Sequence, residues 1–486
     1  MISAGIKERG AYFTPLDVAQ SLVRWAVRSS DDRLLDPSCG DGQFLALHPN
    51  AVGVEWDAAT AGVASQRSPG SIVHVGDFFD WAARTQQRFQ CAVGNPPFIR
   101  YQRFNGETRR RALEHCGKLG VRFSALSSSW APFLTAAAGC LASGGRMAFV
   151  VPAEIGHAPY ARPLVRFLCQ NFDVVHLIAI RERLFPTLSQ DAWLLYADGY
   201  TGSTEEIRLT ALDRFRSSAS PPRSFRRVPV ARWEAFSHRV RPFLLPDDTL
   251  DLYQASAASK SVCRLGSVAK VGIGYVTGAN DFFHLRPSEA RGWDVPSKFL
   301  LPAVRSGRSL PPRTLEKSTV ENWLERDEAC LLLRVTARDE LPVSVKSYLD
   351  SPEGEEARET YKCRNRDPWH VVPDVTVPDA FLSYMSGAGP SLVENRAGCV
   401  GTNSVHVVRL RGNMSLKQLQ RSWDHPLSRL SVEIEGHPLG GGMLKVEPGE
   451  AARVVVPRNG RPFSADELNL LDLGRRTLMR WRHYDA

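Results

Sequence analysis

The chain has no CxxC pair, no Cys/His cluster at zinc-ligand spacing, no basic-then-apolar leader and no internal repeat. Nor does any uninterrupted apolar run approach the ~20 residues that a bilayer requires. Each absence removes a class of protein. Without a ligand cluster no metal site is expected, and the nine cysteines, at 39, 91, 116, 140, 169, 263, 330, 363 and 399, read as reduced structural thiols. Secretion and membrane insertion are not expected, so the predicted setting is the cytosol. Compositional extremes are missing too. Hydrophobic residues at 43%, charged residues at 23% and aromatics at 9% fit neither a disordered chain nor a membrane protein.

What is present is a length of 486 residues, which at about 100 to 200 per domain predicts two or three domains with cores that need no staples. The 61 Lys+Arg against 52 Asp+Glu leave a net charge of +9, a balance that favours a polyanionic partner without naming one.

To about residue 200, short apolar or β-branched runs alternate with helical stretches, which predicts an α/β fold with a parallel sheet. Strands are expected at Leu34–Asp36, Ala51–Glu55, Ile72–Val75, Ala92–Gly94, Met147–Val151, Val174–Ile180 and Trp193–Ala197, with helices near Asp17–Arg28, Gly42–Ala46, Trp130–Ala142 and Tyr160–Asn171. Seven strands so spaced make a doubly wound sheet. From Arg216 to Leu245, seven arginines (216, 223, 226, 227, 232, 239, 241) face one acid, Glu234, behind Ser217, Ser218, Ser220 and the Pro221–Pro222 pair. This predicts a basic junction at 216–245 between domains at 1–215 and 246–486, serving as a solvated connector or as a strap on phosphates. Beyond residue 250, β-like runs at Val268–Val271, Leu331–Val335, Val405–Leu410 and Arg453–Val456 lie among many Gly, Pro and Trp, which predicts a mixed α/β domain.

The chemistry-bearing residues sit at the predicted strand ends. In Asp36-Pro37-Ser38-Cys39-Gly40-Asp41-Gly42 the glycines let the backbone approach a ligand, although a tight strand-to-helix turn would also use them. Glu55 ends the next strand, where a carboxylate can accept from two ribose hydroxyls, and Asp77 ends the third, with Phe78 and Phe79 beside it. One such acid is usually a surface group or a helix cap; three on successive strands point to a nucleotide-bearing cofactor. Asn95-Pro96-Pro97-Phe98 ends the fourth strand. The exocyclic amine of an aromatic base is a poor nucleophile because its lone pair is delocalised into the ring. The Asn95 side-chain oxygen and the Pro96 carbonyl can each accept one N–H and draw the nitrogen toward tetrahedral geometry, the prolines hold both acceptors aimed, and Phe98 offers the base a flat face.

In this order the motifs resemble those of the S-adenosyl-L-methionine-dependent amino-methyltransferases, and among them the adenine-N6 DNA methyltransferases of the TaqI-like gamma class. Gly10-Ala11-Tyr12-Phe13-Thr14-Pro15 is similar to the family's N-terminal cofactor motif, and Gly144-Gly145-Arg146 to Pro152 to its later glycine turn and strand. The resemblance implies S-adenosyl-L-methionine as cofactor, with Thr14, Pro15 and Asp36 at its methionine end, Glu55 at the ribose and Asp77 at the adenine. Tyr12, Pro37, Gly40, Phe78 and Asn95 complete the implied cofactor-binding set, and Asn95, Pro96, Pro97 and Phe98 the catalytic one. Phe185 is similar to the second aromatic that sandwiches the target base in such enzymes; ordinary core packing is its other reading. One departure stands out: where relatives often carry an acidic-aromatic pair, this chain has Ser127-Ser128-Ser129-Trp130, which leaves the contacts of that helix open. Gly272-Ile273-Gly274 to Asp281-Phe282-Phe283, Tyr361-Lys362-Cys363 to Pro368-Trp369, Thr402-Asn403-Ser404 and Gly440-Gly441-Gly442 with Lys445 are similar to target-recognition domains, and each also fits a turn or a filled core.

The implied function is methyl transfer to N6 of an adenine turned out of double-stranded DNA, in a bacterial or archaeal cytoplasm, nucleoid-associated and within a restriction-modification or related defence system. No cysteine sits in the Pro-Cys setting of cytosine-C5 enzymes. With the cofactor motif at Gly10, a fused nuclease is not expected, and a separate restriction endonuclease is the candidate protein partner. Two other readings stay open: methylation of rRNA guanine N2 or protein glutamine through the same NPP-aromatic motif, and a DNA-specificity module on an inactive fold.

Overall fold

Every run expected to be a strand in the first two hundred residues is a strand in the computed structural model, which describes residues 14–185, 191–458 and 463–484. The chain divides into two units, Met1–Leu244 and Leu245–Ala486. In the first, α1 (Leu16–Ala26), β1 (Leu34–Asp36), β2 (Ala51–Glu55), α2 (Ala58–Arg67), β3 (Ile72–Val75), α3 (Phe78–Arg84) and β4 (Phe89–Gly94) alternate. Then follow α4 (Gly106–Lys118), α5 (Trp130–Gly139), β5 (Leu141–Pro152), α6 (Arg162–Asn171), β6 (Phe172–Ile180), β7 (Ala192–Tyr200), β8 (Glu206–Leu212), β9 (Arg226–Pro229) and α7 (Val230–Ala235). They build one sheet in the order β3-β2-β1-β4-β5-β7-β6-β8-β9. The pairs from β3 to β5 are parallel, and β7 runs antiparallel to both neighbours.

Three expectations are corrected. The sheet has nine strands rather than seven, because β8 joins parallel to β6 and β9 closes antiparallel on β8. β8 alternates buried Ile207 and Leu209 with half-buried Arg208, the period-2 pattern of a strand covered on one face. β9 lies within the arginine-rich stretch expected as a junction, and with α7 and the short 3-10 turn Arg241–Leu244 it folds into the first unit. The helix expected at Gly42–Ala46 is instead a series of turns ending in one 3-10 turn, Leu45–Leu47. Gly42 has φ +81°, and a Cβ there would sit 2.9 Å from the Ala64 Cα, so the loop passes close against α2 in a conformation that only glycine adopts easily.

The central strands are buried on both faces. Val18, Ala19, Leu22 and Val23 of α1 join Leu34, Val93, Ala148 and Val150 in one cluster, while α5 is buried over nearly its whole length. In the second unit, Ala269–Ile273, Val405–Leu410, Ala380–Ser383, Leu392–Asn395 and Thr314–Leu315 form a five-stranded, mostly antiparallel sheet in that order. Smaller sheets of four, three and two strands accompany it, together with the helices Asp247–Ala257, Pro426–Glu435 and Ala465–Arg480. Among the described residues no helix is long and apolar enough to cross a membrane.

Candidate active site at one edge of the first sheet

Because β3, β2, β1 and β4 are parallel neighbours, their carboxyl ends emerge side by side, about 4.8 Å apart. That edge carries Asp77, Glu55, Asp36 and Asn95 respectively, the four polar groups that the sequence singles out. A cleft of about 520 Å³ opens over it, lined by Pro37, Gly40, Glu55, Asp77, Phe78, Asn95 and Pro97 among others.

Glu55 accepts from two backbone amides, Gly40 N–H at Oε2 and Asp57 N–H at Oε1, each at 3.0 Å. The glycine loop and the acid of the second strand thus fix each other, and each carboxylate oxygen keeps a lone pair for a further donor. Asp77 serves as the N-cap of α3, its Oδ1 accepting from Asp80 N–H at 3.0 Å. Phe78 follows it, almost fully buried and stacked on Phe133 with ring centres 5.4 Å apart.

Asp36 lies beneath the cleft and is fully buried. Its Oδ1 accepts from Ser38 N–H at 3.1 Å, whereas Oδ2 has no hydrogen-bond partner among the described residues. β4 can pass over it only as glycine: a Cβ on Gly94 would come within 2.8 Å of Asp36 Oδ1. Burial pushes this carboxyl up to about 8, and the negative charges of Glu55 and Asp41 add to the shift. An unsatisfied buried acid of this kind fits a cationic ligand, which would supply the missing partner. Together with the carboxylates at the ends of β2 and β3, the donor set suits a positively charged molecule carrying a nucleoside, as S-adenosyl-L-methionine does.

The Asn95-Pro96-Pro97-Phe98 corner leaves β4 at the same edge. Ser38 Oγ donates to the Asn95 carbonyl at 3.4 Å. Ser129, the residue just before α5, clamps the corner. Its hydroxyl donates to the Pro97 carbonyl and accepts from Ile99 N–H at 3.0 Å, while its own N–H donates to the Ile99 carbonyl at 3.0 Å. These are the contacts that Ser129 makes at the Ser127-Ser128-Ser129-Trp130 departure. The next residue, Trp130, is fully buried and donates its indole N–H to the Tyr160 hydroxyl at 3.1 Å.

Not every expected residue lines the cleft. Thr14 is buried and its carbonyl accepts from the Gln43 side chain, and Pro15 leads into α1. Tyr12 falls outside the described residues. Pro96 is buried and Phe98 half-buried. Phe98 packs against the apolar cluster that holds Leu184 and Phe185, so the two expected stacking rings share one cluster. Phe185 is only 6% exposed, however, which covers the face expected for a base. Sequence reasoning missed Ser129 as well as Arg103, Asn105 and Thr108, which line the cleft from the segment after the corner. Their position just downstream of Phe98 was the available signal.

The first unit is thus the doubly wound, mostly parallel α/β sheet that the sequence predicts, with β7 antiparallel and a cleft at its carboxyl edge. Comparison with known proteins narrows the class. Residues 63–185 match the model of the Eco57I restriction-modification methylase, and residues 237–476 match the model of the C-terminal domain of the type II methyltransferase M.Eco57I. Both matched models describe type II restriction-modification methyltransferases, and they follow one another along the chain as a methylase region and then its C-terminal domain. It is 19% identical to the type II methyltransferase M.AccI of Acinetobacter calcoaceticus over 466 residues, covering 91% of this chain and 84% of that protein. It is 27% identical over 188 residues to the type II methyltransferase M.CvrRI of Paramecium bursaria Chlorella virus XZ-6E, covering 37% of this chain and 46% of the relative. In fold it resembles the type IIL restriction-modification enzyme MmeI, solved in complex with DNA, with a TM-score of 0.53 at 13% identity over 87% of this chain. The chain spans 62% of that enzyme's length.

Proposed function

We propose that this chain transfers the methyl group of S-adenosyl-L-methionine to N6 of an adenine turned out of double-stranded DNA. The observation that carries the reading is that Asn95 and Pro97 of the clamped corner line the same cleft as Glu55 and Asp77. Glu55 would hold the cofactor's ribose, Asp77 its adenine, and Asp36 its positively charged methionine end. Bound there, the cofactor's sulfonium supplies the methyl electrophile.

The chain's own task is the amine. The Asn95 side-chain oxygen and the Pro96 carbonyl accept its two N–H groups and hold the lone pair out of conjugation. Ser129 keeps the backbone that carries those acceptors from relaxing, so their aim costs nothing at the moment of reaction. Turning the base out of the duplex costs a few kcal/mol, of which stacking on Phe98 returns about 1–3 kcal/mol. Contacts to phosphates and base edges supply the rest, the latter from the second unit. The two family matches and the DNA complex of MmeI support DNA as the substrate and a restriction-modification setting; a separate endonuclease would then be the partner.

Incubation with tritiated cofactor tests the reading. Label should enter duplex DNA and be recovered, after digestion to nucleosides, as N6-methyladenosine of the deoxy series. Label recovered as N4-methylcytosine would overturn the choice of base. Label entering rRNA or a release factor instead would overturn the substrate class.

A further inference from the structure

The arginines of the 216–245 stretch divide into two groups. Five serve the fold: Arg226 donates to the Phe243 carbonyl, Arg227 pairs with Glu206 at 2.8 Å, Arg232 lies over the Phe243 ring at 5.8 Å, and Arg239 and Arg241 are buried. Arg216 and Arg223, with Arg214 just upstream, behave differently. All three are exposed, and none makes an ion pair among the described residues. They sit on the loop between β8 and β9, around a recess of about 760 Å³ that also takes in Ser21 and Tyr196. The one acid of that loop, Asp213, is paired with Arg181 at 3.0 Å.

The loop is anchored where it carries these cations. Ser21 of α1 lies 3.1 Å, hydroxyl to hydroxyl, from Ser217 and accepts from Ser218 N–H at 3.1 Å, and the Ser218 hydroxyl donates to the Ser220 carbonyl at 2.8 Å. Three unpaired guanidinium groups are thus held on a fixed backbone, which lowers the entropic cost of engaging a polyanion. Topology places them. β8 is parallel to β6, and both run the same way as β5 and β4 across the antiparallel β7, so this loop leaves the sheet at the edge where Asn95 lies. From β4 to β8 there are four strand steps, roughly 19 Å at about 4.8 Å each. That is less than the ~34 Å of one duplex turn. The loop also lies between the two family matches, at 63–185 and 237–476, and belongs to neither.

We infer that Arg214, Arg216 and Arg223 form a phosphate-binding strap that grips the backbone of the duplex whose base occupies the cleft. The inference rests on the proposed function and adds a partner surface on the catalytic unit. Phosphate contacts position a duplex without reading it, so the strap should act equally on all sequences.

The test is the salt dependence of binding, measured by fluorescence anisotropy on a labelled duplex between about 50 and 250 mM KCl. For the full-length chain bearing Arg214→Gln, Arg216→Gln and Arg223→Gln, the slope of log K against log salt should fall by about 0.9 for each phosphate that is no longer neutralised, and affinity should drop at least ~10-fold for any sequence. Thermal stability and cofactor affinity should stay as in the wild type. Arg227→Gln, which removes a structural pair, should leave the slope unchanged. An unchanged slope in the triple variant, with DNA methylation intact, overturns the strap alone. A wild type that neither binds nor methylates duplex DNA, yet binds structured RNA, overturns the functional reading and the strap's assigned partner together.

Discussion

The two units bury ionisable groups in opposite ways. In the second, Arg482 and Glu433 are both almost fully buried, and their side chains meet twice, at 3.0 and 2.7 Å. Two further guanidinium hydrogens go to the carbonyls of Gly442 and Gly387. In the first, Asp36 is equally buried but has one oxygen without a partner among the described residues, at the end of a strand that opens on a cleft. A buried ion pair that is also hydrogen-bonded to its surroundings holds the fold, whereas a buried carboxyl with one oxygen unmet gains from a partner that arrives. The contrast separates architecture from site without reference to any relative.

Four substitutions break or sharpen this contrast. Arg482→Ala strands Glu433 in the core and should cost about 3–5 kcal/mol in urea unfolding, enough to unfold a marginal domain. A loss under 1 kcal/mol would mean that the pair is solvated in solution. Asn95→Ala removes one of two acceptors from the amine and should lower turnover about 10²–10³-fold with stability unchanged. Unaltered turnover in single-cycle methylation would remove Asn95 from the mechanism.

Asp36→Asn should move stability and binding in opposite directions. Its carboxyl titrates near 8 in the fold against an ordinary 3.8, so the folded state binds the proton more tightly. The stabilisation this proton confers is complete below about 4 and is lost as pH rises to about 8. The neutral asparagine escapes that loss, so its unfolding free energy should lead the wild type by a margin that widens up to pH 8, on the order of 1 kcal/mol or more, with a higher melting temperature. Cofactor affinity should fall about tenfold or more, and in the wild type it should tighten as pH rises through the titration, because the ionised acid is the form that meets a cation. Parallel melting curves at every pH would show that Asp36 is hydrated. The smallest effect is expected at Ser129→Ala: turnover about tenfold lower, equivalent to one net hydrogen bond, with KM for DNA nearly unchanged and most activity regained in Ser129→Thr. Full turnover in the alanine variant would make the clamp dispensable.

How much was legible in the sequence follows the same division. Strands of the first unit are buried on both faces and read as short apolar runs, with the polar residues that matter marking their ends, so Asp36, Glu55, Asp77 and Asn95 could be found before any coordinates. The edge strands were harder. β8 carries Arg208 and was not expected as a strand, while β9, four residues long with Arg226 and Arg227 satisfied by a carbonyl and by Glu206, fell in the stretch expected as a junction. Ser129 was invisible because a serine declares no partner, and its partners are main-chain atoms 30 residues away or more. In the second unit most strands are two to five residues long, too short for alternation to register, and Val405–Leu410 is the longest among them. There Trp369 lies 5.8 Å from the Phe282 ring in a cluster of its own, so at least one similarity to recognition motifs is carried by packing.

The lock that Ser129 places on the corner grips only the peptide groups of Pro97 and Ile99. The ring that lies between them takes no part in it. On the proposed reading, another aromatic ring could therefore stand at position 98 without moving the acceptors, so the surface offered to the base is set apart from the groups that hold its amine.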